Sequence, residues 1–268
     1  MALLHVDFFS TVLGMSMNMD VILPQQTRGQ IGMEGMGADG RVRTMYLLHG
    51  MSDDHTIWQR RTSIERYASK LGIAVVMPTT HLAFYTDTAY GMNYWTFISR
   101  ELPRICREFF PQMSGEREDT LAAGLSMGGY GAWKLGLGAG DTFGAAASLS
   151  GGLDILGNYR RNMAERSDKC LLLQGVFGSE EALEGSDNDL MALAQRIAAE
   201  GKSLPRLYAW CGTEDFQYQG NLKVWDHVKK LGYDLTSQAS AGDHQWKYWD
   251  EKIQDVLCWW LNTDQDLQ

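Results

Sequence analysis

The chain has 268 residues, 44% of them hydrophobic and 21% charged, which suits one sizeable α/β domain with room for a modest insertion. Its formal net charge is -9, so a polyanion would meet net repulsion and nucleic-acid binding is not expected. No apolar stretch approaches the length of a membrane span, and Met1 to Ser10 has no basic start and is interrupted by Asp7, so neither a span nor a signal peptide is expected.

The N-terminal part reads as β. Leu3 to Leu13 and Met17 to Leu23 are apolar-rich, separated by Gly14-Met15-Ser16 and closed by Pro24, as in an antiparallel pair at a sheet edge. Gln25 to Gly40 is rich in glycine and reads as a surface loop. Five short apolar runs follow: Thr44 to Leu48, Ile73 to Met77, Thr120 to Leu125, Phe143 to Leu149 and Leu207 to Cys211. Runs of this kind mark strands buried on both faces of a parallel sheet. Helical spacing lies between them, over Thr56 to Lys70, Tyr94 to Phe110, Leu190 to Ala199 and Leu222 to Leu231, and a C-terminal helix follows an extended run at Tyr233 to Ala239. The class is therefore α/β, with a mostly parallel central sheet, antiparallel N-terminal strands and helices on both faces. The span 1–268 reads as a single domain, and the irregular stretch 152–189, which follows a strand end, is a candidate cap. Cys106, Cys170, Cys211 and Cys258 show no C-x-x-C spacing and read as reduced thiols of a cytoplasmic protein.

Gly124-Leu125-Ser126-Met127-Gly128 matches G-x-S-x-G. With 29 glycines the chain meets such a pattern easily by chance, so context decides. An apolar strand precedes Ser126 and a helical pattern follows, which is the strand, sharp turn and helix of a nucleophile elbow. A serine hydroxyl needs a base. Of six histidines (His5, His49, His55, His81, His227 and His244) only His227 and His244 follow Ser126, and His227 lies inside a helical pattern. His244 sits in a loop, Ala241-Gly242-Asp243-His244-Gln245-Trp246, and is the expected general base. The acid that orients it should follow a strand between the two. Asp215, beyond Leu207 to Cys211, fits; Glu214 is its nearest rival, while Asp226, Asp243, Asp187 and Asp189 are less well placed. The backbone N–H groups of Met127, after the nucleophile, and Met51, in the loop after Leu48-His49-Gly50, are the expected oxyanion donors. His49 then has a structural role beneath the site.

These residues belong to longer segments: Phe8-Phe9-Ser10-Thr11-Val12-Leu13-Gly14, Tyr46 to Met51, Val76-Met77-Pro78, Phe84 to Thr88 with Tyr90-Gly91, Glu101-Leu102-Pro103, Ala123 to Gly131, Trp210-Cys211-Gly212 with Asp215-Phe216, and Ser240 to Trp249. Through them the chain resembles the esterase D-like branch of the α/β-hydrolases, which includes S-formylglutathione hydrolases, feruloyl-type esterases and mycolyltransferases, and in particular the bacterial tributyrin esterases. The resemblance implies Ser126, Asp215 and His244 as the triad, Met51 and Met127 as the oxyanion donors, and short-chain acyl esters as substrates. The formylglutathione branch typically has His after the Gly-Gly of the elbow, where this chain has Tyr130.

Tyr90, Tyr94, Trp95 and Trp246 are candidates for lining the substrate pocket, against the alternative that they are core. Asp53, Asp54 and His55 read as a solvated helix start. No His/Asp/Glu cluster has metal-ligand spacing, so no metal and no cofactor are expected. The expected partner is a small-molecule acyl ester, with room left for a homo-oligomer. The competing readings are an S-formylglutathione hydrolase, a feruloyl or acetyl esterase on carbohydrate esters, and an inactive hydrolase fold used for binding.

Overall fold

The computed structural model describes residues 1–28, 31, 35, 37 and 40–267. The predicted loop over 25–40 falls partly outside them. Eight strands form one sheet: β1 (Ala2–Ser10), β2 (Met15–Leu23), β3 (Thr44–Leu48), β4 (Ala74–Pro78), β5 (Thr120–Leu125), β6 (Ala145–Leu149), β7 (Arg206–Gly212) and β8 (Leu235–Ser240), in the order β1-β2-β4-β3-β5-β6-β7-β8. β1 and β2 pair antiparallel, as does β2 with β4; every other neighbour is parallel. This is the mostly parallel sheet of an α/β-hydrolase, with an antiparallel N-terminal edge.

The helices are α1 (Ile57–Arg61), α2 (Ile64–Leu71), α3 (Tyr94–Thr96), α4 (Leu102–Phe109), α5 (Met127–Gly138), α6 (Ile155–Glu165), α7 (Cys170–Phe177), α8 (Glu180–Leu183), α9 (Leu190–Ala199), α10 (Tyr218–Lys230) and α11 (Trp246–Leu261). The two-residue period of β3 sends its side chains to opposite layers. Met45 and Leu47 pack with Ile57, Trp58, Ile64 and Ile253 from α1, α2 and α11. Tyr46 and Leu48 join Leu102, Tyr130, Trp133 and Val224 from α4, α5 and α10. α5 is buried from Met127 to Leu137, so the helix that follows Ser126 is held on all sides.

The structure departs from the sequence reading in three places. The helix expected over 56–70 breaks at Thr62-Ser63, where Thr62 is extended and the Ser63 N–H donates to Asp250 (3.2 Å). The helix expected over 94–110 contains a wider turn at Phe97–Glu101, just before Pro103, whose missing N–H cannot continue a regular ladder. Glu101 is buried there and accepts from Ser10 Oγ (2.5 Å) and the Thr11 N–H (2.9 Å), tying the β1–β2 turn to the helix. Finally, 152–189 is largely helical. Asp154, Ser179 and Asp189 cap α6, α8 and α9 by accepting N–H groups of the first turns. Among the described residues no helix is long and apolar enough to cross a membrane.

Candidate active site

β3, β5, β6, β7 and β8 all run in one direction, so their carboxyl ends share one edge of the sheet, the usual place for a ligand in such folds. Ser126 follows β5 with φ 52 and ψ -116, a conformation L-residues rarely adopt. The flanking glycines permit it. A Cβ on Gly124 would lie 2.5 Å from the Gly128 carbonyl, and one on Gly128 would strike the backbone carbonyls of Leu48 and His49. Strand, turn and helix are thus compressed around the serine.

Asp215 follows β7 and His244 follows β8. His244 Nε2 is 3.0 Å from Ser126 Oγ, and His244 Nδ1 is 2.8 Å from Asp215 Oδ2. The structure therefore brings together all three residues expected from the sequence, which lie 118 and 29 positions apart along the chain. The Asp215 side chain is fully buried, while that of His244 retains 21% of its exposure. Burial acts to raise the Asp215 pKa, but the hydrogen bonds from His244 and from the Gln217 N–H (2.8 Å) outweigh it and leave the carboxyl below its ordinary value. An ionised Asp215 only accepts, so Nδ1 carries the imidazole proton and the Nε2 lone pair faces the serine hydroxyl. Phe216 (ring centroids 4.5 Å apart) and Trp249 (4.8 Å) flank the imidazole. The rival acid, Glu214, points elsewhere. Its Oε2 accepts the Gly242 N–H (2.5 Å), which lowers its pKa and fixes the loop that carries His244.

Met127 is the first residue of α5, where helix N–H groups have no acceptor within the helix. Met51 approaches from the loop after β3. A Cβ built on Gly50 would lie 3.7 Å from Ser126 Cβ, so this loop passes directly beside the serine. His49 holds the loop from below: Nδ1 donates to the Gly50 carbonyl (2.7 Å) and Nε2 accepts the Thr80 N–H (3.0 Å). Burial pushes its pKa down to about 4, and a proton on Nε2 would oppose the Thr80 N–H. In the unfolded chain the same imidazole titrates near 6.5. His49 therefore leaves stability untouched above that pH and subtracts from it as pH falls from about 6.5 to 4, by roughly 3 kcal/mol in all. Urea unfolding at pH 7 and pH 4.5 should show this loss in wild type and a smaller one in His49→Asn.

A cavity of about 300 Å³ opens on the serine. Met51, Phe84, Ile155 and Leu173 supply apolar wall, and Asn158, Arg161, Lys169 and Gln217 supply polar wall. Ser126, Met127 and His244 line it too. None of the four aromatics expected there takes part. Tyr90 is 56% exposed, with its backbone N–H on the Gly175 carbonyl (3.1 Å). Tyr94 is buried with its hydroxyl 2.9 Å from His81 Nδ1. Trp95 lies 4.6 Å beneath the ammonium of buried Lys134. Trp246 packs between Trp58 and Trp249, one layer behind the imidazole. Asp54 accepts the Thr56 N–H (2.9 Å) in a turn just before α1, whose N-cap Thr56 makes no side-chain cap of its own. Phe84, Ile155, Leu173, Arg161 and Lys169 carry no motif that marks them as cavity lining; the N-cap at Asp154 is a local signal that a helix, and so a cavity wall, begins there. Among the described residues no group of three or more His, Cys, Asp or Glu is placed to hold a metal.

Known proteins share this architecture. An acetyl esterase of Caldicellulosiruptor saccharolyticus is 30% identical over 266 residues, which cover 97% of this chain and 98% of that one. The substrate-bound structure of FphF, a fluorophosphonate-binding serine hydrolase of Staphylococcus aureus, is 33% identical with a TM-score of 0.85, over 97% of this chain and 98% of that one. The S-formylglutathione hydrolase FrmB of Staphylococcus aureus is 33% identical with a TM-score of 0.83, over 97% and 99%. The Esterase family model matches residues 10–259. With a strained serine facing an imidazole at the carboxyl edge of its sheet, the chain belongs to the Esterase family and is a carboxylesterase-type serine hydrolase of the α/β-hydrolase fold.

Proposed function

We propose that the protein cleaves short-chain carboxylic esters through an acyl-enzyme on Ser126, with His244 as general base and Asp215 as the acid that orients it. The observation that carries this reading is the unbroken line Asp215–His244–Ser126 opening on a cavity of about 300 Å³. Ser126 Oγ attacks the ester carbonyl carbon while its proton passes to His244 Nε2. The carbonyl oxygen takes up the negative charge and receives the N–H groups of Met51 and Met127. The C–O bond to the alcohol then breaks, and His244 returns the proton to the leaving oxygen. Water repeats the sequence, releasing the carboxylic acid and restoring the serine. The fixed positions of these groups replace the solvent reorganisation that the reaction needs in water.

Short acyl chains follow from size. The cavity lies at the small end of the range for small-molecule sites, and part of it must take the alcohol. Helices α6 and α7 supply one wall, as a cap over the serine would. This is the substrate class of the tributyrin esterases, and the acetyl esterase named above points the same way. A fluorophosphonate probe should label wild type and not Ser126→Ala. On 4-nitrophenyl esters, kcat/KM should peak at acetyl to butyryl; rates that climb to octanoyl would overturn the chain-length assignment, and an unlabelled wild type would overturn the mechanism.

Thioester cleavage, as in the S-formylglutathione hydrolase FrmB, is the second reading. Tyr130 bears on it: the residue is buried, with its hydroxyl on the Asn188 carbonyl (2.9 Å), and does not reach the cavity. Comparing S-formylglutathione with 4-nitrophenyl butyrate separates the two.

A further inference from the structure

We propose that the preferred substrate carries an anionic group, a carboxylate, and that Arg161 and Lys169 on the cap wall bind it. The proposal rests on the hydrolase reading above and names the class of substrate for the same site. In a chain of formal net charge -9, a cavity wall would be expected to carry acidic side chains. This one carries none: its charged lining residues, apart from the imidazole facing the serine, are Arg161 and Lys169.

Both charges are unspent. The neighbouring Arg160 shows the contrast, since its guanidinium pairs with Glu180 (2.7 Å) and Glu184 (3.0 Å). Arg161, one position on, turns to the other side of α6. Its Nη2 donates to Asn158 Oδ1 (2.7 Å), and Asn158 Nδ2 donates in turn to Gln217 Oε1 (3.1 Å). All three residues line the cavity. The guanidinium is thus held against the wall by neutral partners that orient it without neutralising it, leaving most of its five donors for a ligand. Lys169, just before α7, supplies a second positive charge to the same cavity, and neither residue has an acidic partner among the described residues.

The geometry adds a link to the reacting atoms. Gln217, which receives the Asn158 amide, also gives its backbone N–H to Asp215. A carboxylate on Arg161 would therefore settle a side chain already tied, through two neutral groups, to the loop of the catalytic acid. Both charges of the cavity come from the cap segment, which also supplies Ile155 and Leu173, while Met51 and Phe84 complete the apolar wall from outside it.

Two pairs of esters test this and locate the anion. 4-Acetoxybenzoate against its methyl ester places the charge on the leaving group. The 4-nitrophenyl half-ester of adipic acid against 4-nitrophenyl hexanoate places it on the acyl group. The reading is the ratio of kcat/KM for the charged ester to that for its neutral partner. In the Arg161→Ala/Lys169→Ala variant this ratio should fall about tenfold in one pair, since the two solvent-facing charges each contribute modestly. Arg161→Lys/Lys169→Arg should keep most of it, and added salt should depress the wild-type ratio while hardly moving that of the alanine variant. A ratio unchanged in both pairs overturns the proposal and leaves the esterase reading standing. If wild type shows no Ser126-dependent hydrolysis of any ester, the esterase reading fails instead. Calorimetry of Ser126→Ala with 4-acetoxybenzoate and with the 4-nitrophenyl half-ester of adipic acid then decides the anion site separately: binding of either that disappears when Arg161 and Lys169 are also changed supports it, and no binding of either overturns it.

Discussion

Replacing Asp215 by Asn should lower kcat about ten-thousandfold with little change in folding. The reason lies in two of the bonds that the side chain of residue 215 makes. One side-chain oxygen accepts the Gln217 N–H at 2.8 Å and the other faces His244 Nδ1 at 2.8 Å. An asparagine that keeps its oxygen on Gln217 must turn its NH₂ toward the imidazole. Nδ1 then has to accept, so the ring proton moves to Nε2 and points at Ser126 Oγ. The serine loses its base although every atom stays near its place. The opposite orientation keeps the tautomer but sets two donors face to face at Gln217, and in both cases the negative charge that supports the imidazolium is gone. Labelling by a fluorophosphonate should slow in parallel with kcat, and the unfolding midpoint should hold. Glu214→Gln is the control: Glu214 braces Gly242 and does not touch the ring, so its loss should cost less than about tenfold. A large loss in Glu214→Gln with near-normal turnover in Asp215→Asn would reassign the acid.

How much of this was legible in the sequence depends on what kind of signal each part leaves. The sheet was legible because its parallel strands are buried on both faces and leave continuous apolar runs, such as Ala74 to Met77 and Thr120 to Leu125. The positions of residues 126, 215 and 244 were legible for a related reason. Residues 126 and 215 follow the ends of such runs, while residue 244 follows the polar, half-exposed strand β8, and parallel strands deliver their ends to one edge. The cavity left no such trace. Ile155, Asn158 and Arg161 or Asn162 share one face of α6, but this face is half polar, so its period is blurred, and a helix packed over a cavity has no apolar stripe to announce it. The aromatics misled for the opposite reason. Tyr94 and Trp95 look like ligand contacts by type, yet their places were fixed by partners far off in sequence, His81 for one and the buried Lys134 for the other. Local composition cannot announce a contact between residues of different elements. The break between α1 and α2 has the same origin, since it depends on Asp250 from the last helix.

Removing the hydroxyl or the imidazole should each cost about 10⁶ in kcat, and removing both should cost no more than removing one. This non-additivity follows from the single hydrogen bond of 3.0 Å that joins them. The hydroxyl of Ser126 is a weak nucleophile until Nε2 takes its proton, and the imidazole has no other reacting atom within reach. Each is useless alone, so Ser126→Ala, His244→Ala and the double variant should fall to one common floor. That floor should stand above the uncatalysed rate by about 10³–10⁴, because the N–H groups of Met51 and Met127 and the cavity wall remain to bind the ester and stabilise its oxyanion. Rates measured with 4-nitrophenyl acetate under single-turnover conditions, against a buffer blank, read the floor directly. Additive losses would mean that the two residues act in separate steps, and a Ser126→Ala variant within a hundredfold of wild type would place the nucleophile elsewhere. The strained turn makes the serine variant a clean one: Ser126 holds φ 52 because Gly124 and Gly128 leave it room, and alanine keeps the Cβ that this geometry already accommodates. The loss then reports on the missing oxygen and not on the elbow that presents it.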